Sequence, residues 1–365
     1  VKAQTVQEYL ILAALPGLML CIVPVEGVEF RLSWHLAFLW LGAFLFTAWL
    51  TSWWLRAMFL VALLATASIP PAQTAYITLA TIGIGLAVIA RIAEMDALRA
   101  VFWIRGAAVM ALAWMIAQRY LGAIPRGEFI GPFNADAAGV FLALCMPAFF
   151  SRKAWPGVIV LFVAIAMTKT STGFAAAAAA CAVGAFVYGT IPPKIRALML
   201  LAVCVACSLF FWKVEPITNT LKCDRWIVWD HGTRAIQRTP AGHGLGSWET
   251  IFPLLASGDR RIGEVLNIKN HIELNNVFRQ AHNEYVQAAF EMGWAALGLI
   301  AAFLIWAAWL ILRGAVSPPV AGGVTALAVS CLGWHTFHIA PLALIGCAWL
   351  GLFFKIEKPP KGGLK

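Results

Sequence analysis

Charged side chains are scarce in this chain. Asp, Glu, Lys and Arg supply 12% of the 365 residues, hydrophobic residues supply 61%, and the mean hydropathy is +0.81. A soluble domain carries about twice that share of charge, so a soluble globular class is excluded. Basic clusters are missing as well. The net charge of +10 comes from cations scattered between apolar runs, with no basic patch or aromatic-interleaved basic helix, which argues against nucleic-acid binding. The cysteines make no disulfide framework. Seven of the eight (Cys21, Cys145, Cys181, Cys204, Cys207, Cys331 and Cys347) lie in apolar runs, where they behave as small hydrophobes, and only Cys223 stands in a polar stretch. Cys204 and Cys207 form a C-x-x-C that reads as two packed thiols. No H-E-x-x-H motif is present, so a zinc hydrolase or intramembrane protease lacks its ligand pattern. The first residues carry a single early cation, Lys2, and no A-x-A-like site follows them, so the start of the chain reads as a retained span rather than a signal peptide.

What the sequence does contain is a succession of apolar runs, near 8–24, 35–51, 54–69, 74–91, 99–121, 135–150, 154–169, 172–190, 195–213, 285–312, 319–338 and 340–356. A helix satisfies its own backbone hydrogen bonds in hydrocarbon, and about 20 residues cross a bilayer upright. The expected fold is therefore an all-α polytopic membrane protein with about a dozen transmembrane helices. Nine spans lie in residues 1–213, a long polar loop follows at 214–283, and three spans and a short tail fill 284–365. The 17 Trp suit the membrane–water interface. If the N-terminus is cytoplasmic, that side receives Lys2, Arg56, Arg91, Arg99, Arg152, Lys153, Lys194, Arg196, Arg313 and the cations of the tail, while the opposite short loops hold little beyond Arg31, Arg126 and Lys169. That asymmetry places both termini inside and the long loop outside the cytoplasm. All seven histidines then gather on the outer side: His35, His231, His243, His271, His282, His335 and His338.

The long loop carries the polar chemistry. In "CDRWIVWDHGTRAIQRTP" at 223–240, Trp226, Trp229 and Ile236 are spaced to share a helical face, and Arg225, Arg234 and Arg238 supply cations. An interfacial amphipathic helix accounts equally well for Arg234 and Arg238. "PAGHGLGSW" at 240–248 has three alternate glycines that permit tight turns, but is neither a Walker loop nor a dinucleotide fingerprint. In "RQAHNEYVQAAFEMGWAALGLI" at 279–300, Asn283 is placed to cap a helix whose first turn holds Glu284. His282 then lies just outside a helix N-terminus, where an anion is favoured and imidazolium disfavoured. Two readings of His282 stand: part of the cap, or a neutral general base.

These residues resemble the O-antigen ligase and polymerase superfamily, which also includes the pilin O-oligosaccharyltransferases. The resemblance is an ordered pattern: Arg225-x-x-x-Trp229, Pro240 with "GHGLGSW", "HNEY" at 282–285, and Glu291 and Gly293 in "FEMGW". Upstream, "GPFNADAAGVFLAL" at 131–144 and "TKTSTGFAA" at 168–176 are similar to two further segments, so about half the chain is covered. The sequence departs in two places: Thr172 follows Ser171 where a basic residue is common, and Asp136 stands where Asn is commoner.

The resemblance implies a bacterial inner-membrane enzyme facing the periplasm. It would transfer a glycan from undecaprenyl pyrophosphate to an acceptor hydroxyl of lipid A-core, a growing glycan or a protein, as in lipopolysaccharide biosynthesis. Membrane lipids are further partners, and neither a metal nor a cofactor is expected. Arg225 and Arg279 are the expected pyrophosphate ligands, with Lys169 and the intramembrane cation Arg105 as further candidates. His282 is the expected base, supported by Asn283, Glu284, Glu291 and His338. The competing class is a membrane transporter of the same superfamily, which would call for inverted repeats, and no clear repeat is present. His335 and His338, at i and i+3, are spaced to join His282 around zinc, but packing against the interior is the plainer reading.

Overall fold

The computed structural model describes residues 85–86, 88–121, 135–151, 153–187, 224–256 and 280–355. Regular structure among them is helical, with no strand. In chain order the helices are α1 (Ala97–Leu121), α2 (Ala135–Cys145) running into a 3-10 turn at Met146–Phe149, α3 (Trp155–Met167), α4 (Ser171–Val187), α5 (Asp224–Arg238), α6 (Ser247–Ala256), α7 (Glu284–Leu312), α8 (Pro318–Gly333), a 3-10 turn at Thr336–His338, and α9 (Ala340–Lys355). Prolines mark helix starts at α3 and α8, where the missing N–H has no intrahelical partner to lose. The apolar runs near 8–24, 35–51, 54–69 and 195–213, and most of 74–91, lie outside the described residues.

Among the described residues, two helices are long and apolar enough to cross a bilayer: α1, over the 20 residues Ala97–Ile116, and α7 with 29 residues. Leu98, Phe102 and Val109 of α1 and Leu299, Ile305 and Leu312 of α7 are exposed, each with more than half its surface uncovered. Apolar surface on this scale requires cover that water does not supply.

Small residues set the packing of the bundle. α4 lies along α8, with Ala176, Ala177 and Ala180 fully buried against a helix that carries Ala321, Gly322, Gly323 and Ala326. Where α2 meets the start of α4, Gly139 and Gly173 let the backbones touch. A Cβ on Gly173 would fall 2.6 Å from the Gly139 carbonyl carbon, and one on Gly139 would overlap the Thr170 hydroxyl. α9 is pinned to the same layer by Trp349, whose indole N–H donates to Leu144 O at 2.7 Å.

A second, smaller core joins α5, α6 and α7. Trp248 stacks on Phe252 (4.2 Å between centroids), and both meet Phe290 edge-on. The buried stripe of α5 is Val228, Ala235 and Ile236. The face expected from Trp226, Trp229 and Ile236 therefore divides: Ile236 is buried, Trp229 is partly covered, and Trp226 is 54% exposed. Burial follows the i, i+7, i+8 rotation of the helix rather than the bulk of each side chain.

α7 is two helical segments meeting at Gly293, whose φ of 75° and ψ of −170° suit glycine alone. The 240–248 segment wraps this break. His243 N–H donates to Phe290 O (2.9 Å), Gly244 N–H to Glu291 O (2.8 Å), and Trp294 N–H to Pro240 O (3.0 Å). Carbonyls freed by the break are thus satisfied by the glycine-rich segment, and the approach is close enough that a Cβ at Gly242 (φ 84°) would sit 2.5 Å from Glu291 O. The alternate glycines of the motif serve this seat on the helix.

Candidate functional site

One end of the bundle collects the starts of α2, α4, α5 and α7 and the turn between α8 and α9. That turn replaces the end of the apolar run expected to continue to 338. α8 stops at Gly333, Trp334 is extended, and His335 and His338 belong to a connection rather than to a helical face.

The start of α7 is built around Asn283. Its side-chain oxygen accepts from Tyr285 N (3.0 Å) and Val286 N (3.1 Å), a full N-cap contributing about 1 kcal/mol. His282 precedes it with φ 53°, a left-handed conformation that costs a residue bearing a Cβ about 1–3 kcal/mol. Its neighbours impose it. Ala281 is fully buried, its carbonyl accepts from the Trp229 indole (2.7 Å), and its N–H donates to Gln287 Oε1 (3.1 Å). Clamped on one side and capped on the other, the backbone turns the imidazole toward the α8–α9 connection.

There the His282 ring lies edge-on to Trp334 (centroids 5.2 Å apart) and to His335 (4.6 Å), while His335 stacks on Trp334 at 4.5 Å. Arg225, the second residue of α5, places its guanidinium 5.5 Å over the Trp334 ring. Its Nη1 donates to Gly333 O (3.2 Å), and its Nη2 lies 3.7 Å from Asp136 at the start of α2. Thr172, near the start of α4, also donates to Gly333 O (3.3 Å). Burial first, and the Arg225 charge second, hold the His282 pKa down to about 4. Burial, then His282, His338 and Arg225, push His335 lower still. Both rings are neutral at pH 7 and able to accept a proton, beside a cation whose five-donor fork suits an oxyanion.

Behind this cluster runs a chain of polar groups. Glu284 accepts from Phe337 N (2.6 Å) and from His338 Nδ1 (3.2 Å). His338 Nε2 meets Gln287 Nε2 at 3.1 Å, which also donates to Glu291 Oε1 (3.1 Å). The other Glu291 oxygen accepts from Gly246 N at 2.9 Å. Burial lowers the His338 pKa, but Glu284, Glu291 and Glu249 outweigh it and leave the value raised. Glu284 and Glu291 thus bond the first turns of α7 to the α8–α9 connection and to the glycine-rich segment.

The remaining candidates are distributed unevenly. Lys169 is exposed just past α3, in the left-handed conformation common at helix ends, between Thr168 and Thr170, whose hydroxyls lie by Gly139. It therefore stands at the same end as Arg225 and Asp136. Arg105 does not. Its Nε donates to Ala148 O (2.7 Å) and its Nη2 to Ser151 Oγ (3.3 Å), beyond the far end of α2. Ala148 lies twelve residue steps along from Asp136, roughly 18 Å at 1.5 Å each. Arg279, His35, His271 and Cys223 lie outside the described residues. His243 packs at a tilt against Phe290, and His231 meets Leu255 O, so both belong to the second core rather than to the His282 cluster. No group of three or more His, Cys, Asp or Glu among the described residues is placed to hold a metal ion.

Four participants were not among the expected site residues: Asp136, Gln287, Trp334 and His335. Asp136 shows in the sequence only as a departure from the common Asn. Trp334 and His335 follow Gly333 inside an apolar run, and "GWHTFH" was the available signal: two histidines among aromatics at the end of a span. Gln287 is one of several polar residues in a helical turn, and nothing local marks it. Comparison with protein-family models and with curated proteins gives no match to this chain.

Proposed function

We propose that this chain is a membrane glycosyltransferase of the O-antigen ligase type, with about a dozen spans in a bacterial inner membrane, acting at the periplasmic face. The observation that carries the reading is the meeting of a neutral, conformationally strained His282 with Arg225 across Trp334, on residues that resemble the superfamily's motifs. A base beside an oxyanion-binding cation is what transfer from a pyrophosphate requires.

In the reaction the acceptor hydroxyl gives its proton to His282 as its oxygen bonds to the anomeric carbon of the glycan. The bond from that carbon to the pyrophosphate oxygen breaks, and the electron pair leaves on undecaprenyl pyrophosphate. Arg225 neutralises the charge that develops there, joined by Arg279 and Lys169, and the proton on His282 passes to solvent. An electrostatic stabiliser of this kind contributes on the order of 10²–10³-fold in rate. A base with a pKa near 4 is weak, but the second of its two depressing influences is the Arg225 charge. A bound pyrophosphate offsets that charge, so the donor itself raises the basicity of His282.

The test is in vitro transfer, with donor binding measured in parallel, comparing wild type with His282→Ala. The base role predicts a loss of about 10²–10⁴-fold in turnover with donor binding preserved. Near-normal turnover would leave His282 as a capping neighbour only, and absence of transfer in wild type with a competent donor would favour transport.

A further inference from the structure

We infer that Gln287 is a positioning residue that fixes the tautomer of His338 and the backbone carrying His282, tying base, relay and glycine-rich segment into one unit. The inference rests on the transfer reading of the same site for its kinetic consequence, but not for its structural content.

Gln287 is 5% exposed and makes three hydrogen bonds. Their polarity is determined by one partner that cannot reverse. The Ala281 backbone N–H is only a donor, so the atom facing it is the amide oxygen. The NH₂ of Gln287 then faces Glu291 and His338, donating to both. A nitrogen that receives a hydrogen bond from an amide carries no proton, so neutral His338 holds its proton on Nδ1, the atom that faces Glu284 Oε1. The reverse orientation of the amide would strand the Ala281 N–H in a fully buried position and set two acceptors, the amide oxygen and the Glu291 carboxylate, against each other.

The consequence reaches His282 through Ala281. Trp229 holds the carbonyl of that residue and Gln287 its N–H, and the strained φ of His282 follows immediately. Through Glu291 and Gly246 N, the same amide reaches the glycine-rich segment seated on the α7 break. One side chain therefore sets the register of α7, the α8–α9 connection and the 240–248 segment together. The charged and titratable groups around His338 are Glu284 and Glu291 of α7, Glu249 of α6 and His335 of its own turn. Protonating His338 gives its Nε2 a proton that points at the amide NH₂, and turning the amide to accept that proton releases the Ala281 N–H.

Two substitutions separate the parts of this inference. Gln287→Glu keeps an oxygen for Ala281 but puts a carboxylate against His338 Nε2 and Glu291. Gln287→Leu removes all three bonds at similar volume. The full chain, selectively labelled with ¹⁵N-histidine and held in lipid nanodiscs, reports each ring nitrogen as protonated or bare. The spectrum is followed upward from about pH 8.5, some two units above the ordinary histidine value, until the His338 resonances stop changing, because the carboxylates around that ring raise its pKa. The wild type is expected to show His338 protonated at Nδ1 and bare at Nε2, Gln287→Glu to show both nitrogens protonated, and Gln287→Leu to move the His282 signal as well. Turnover should fall on the order of 10²-fold in Gln287→Leu with donor KM little changed, since Arg225 is untouched. Partial recovery of turnover in Gln287→Glu would support the hold on Ala281. A wild-type His338 protonated at Nε2, or a His282 signal unmoved by Gln287→Leu, overturns the inference. The resonances decide it even if wild type transfers no glycan, an outcome that would remove the proposed function alone.

Discussion

Neutralising Arg225 separates the proposed anion-binding role of the site from its architecture. In Arg225→Gln the guanidinium bonds to Gly333 O and Asp136 are lost, together with the stacking over Trp334. None of these losses should unfold the site. Gly333 O keeps the Thr172 hydroxyl as a donor, the pair with Asp136 is half-exposed and contributes about 0.2–1 kcal/mol, and a cation–π contact at such a site contributes about 0.5–1 kcal/mol. Donor binding is different. Hydrogen bonds to a charged group contribute about 1.5–3 kcal/mol, which at 1.36 kcal/mol per decade is about a 10- to 150-fold loss of affinity for the pyrophosphate. A second consequence has a defined sign. His282 is depressed by burial and then by the Arg225 charge, so removing the charge raises its pKa from about 4 toward, but not to, the ordinary value, because burial remains. A base works when unprotonated, so the acid limb of kcat/KM should move to higher pH in Arg225→Gln and stay low in Arg225→Lys, which keeps the charge and loses the planar fork. The assay is donor binding and transfer across pH in the reconstituted full chain. Donor affinity within twofold of wild type in Arg225→Gln, with an unmoved acid limb, would refute both the anion clamp and its coupling to the base.

On the proposed function Asp136 competes with the donor for the same guanidinium, so Asp136→Asn should tighten donor binding by about 1.4- to 5-fold, the equivalent of 0.2–1 kcal/mol; a titration of the donor checks it, and weaker binding would count against the competition. Arg105→Ala should lower stability by about 1.5–3 kcal/mol through loss of its bonds to Ala148 O and Ser151, yet leave transfer per folded molecule unchanged, which thermal unfolding and specific activity measure together. Reporter fusions at Gly258 and after Lys365 should give a non-cytoplasmic signal at the first and a cytoplasmic one at the second, and the reverse pattern would move the His282 cluster to the wrong side for a periplasmic donor.

The start of α7 was legible because its determinants are local: an Asn at the cap position, a Glu in the first turn and an apolar run behind them. The end of α8 was not. Trp334, Phe337 and Ile339 continue the apolar run past Gly333, and a hydropathy pattern registers their character but not that the backbone has left the helix. The two histidines thereby change meaning, from neighbours on one helical face to groups with separate partners, His335 on Trp334 and His338 on Glu284. Arg105 shows a similar gap. A cation within an apolar run is functional by default, but the carbonyl of Ala148 at the end of a 3-10 turn has no helical partner of its own, and a long side chain from α1 satisfies it. Nothing in the α1 sequence reports that vacancy 43 residues away. Tertiary partners are invisible to local pattern wherever one side of the bond is a backbone group.

The Arg225-x-x-x-Trp229 spacing was recognisable as a pattern before it had a physical reason. Four residues on a helix return to the same face about one turn along, so the two side chains leave α5 side by side. Arg225 reaches Gly333 and Trp334 on the α8–α9 connection, while Trp229 reaches the carbonyl of Ala281, the residue before His282. One turn of α5 therefore measures the separation between the proposed oxyanion-binding group and the backbone that carries the proposed base. A spacing of two or five residues would rotate one of the pair roughly 100° or more away from the other's face and leave cation and base answering to different elements. Because α5 is itself seated on α7 by Val228 and Ile236 against Phe290, the measure is referred to the same helix whose capped start holds His282. That geometry gives the motif its form: a short polar helix whose two ends of one turn are each bonded to a different part of the site.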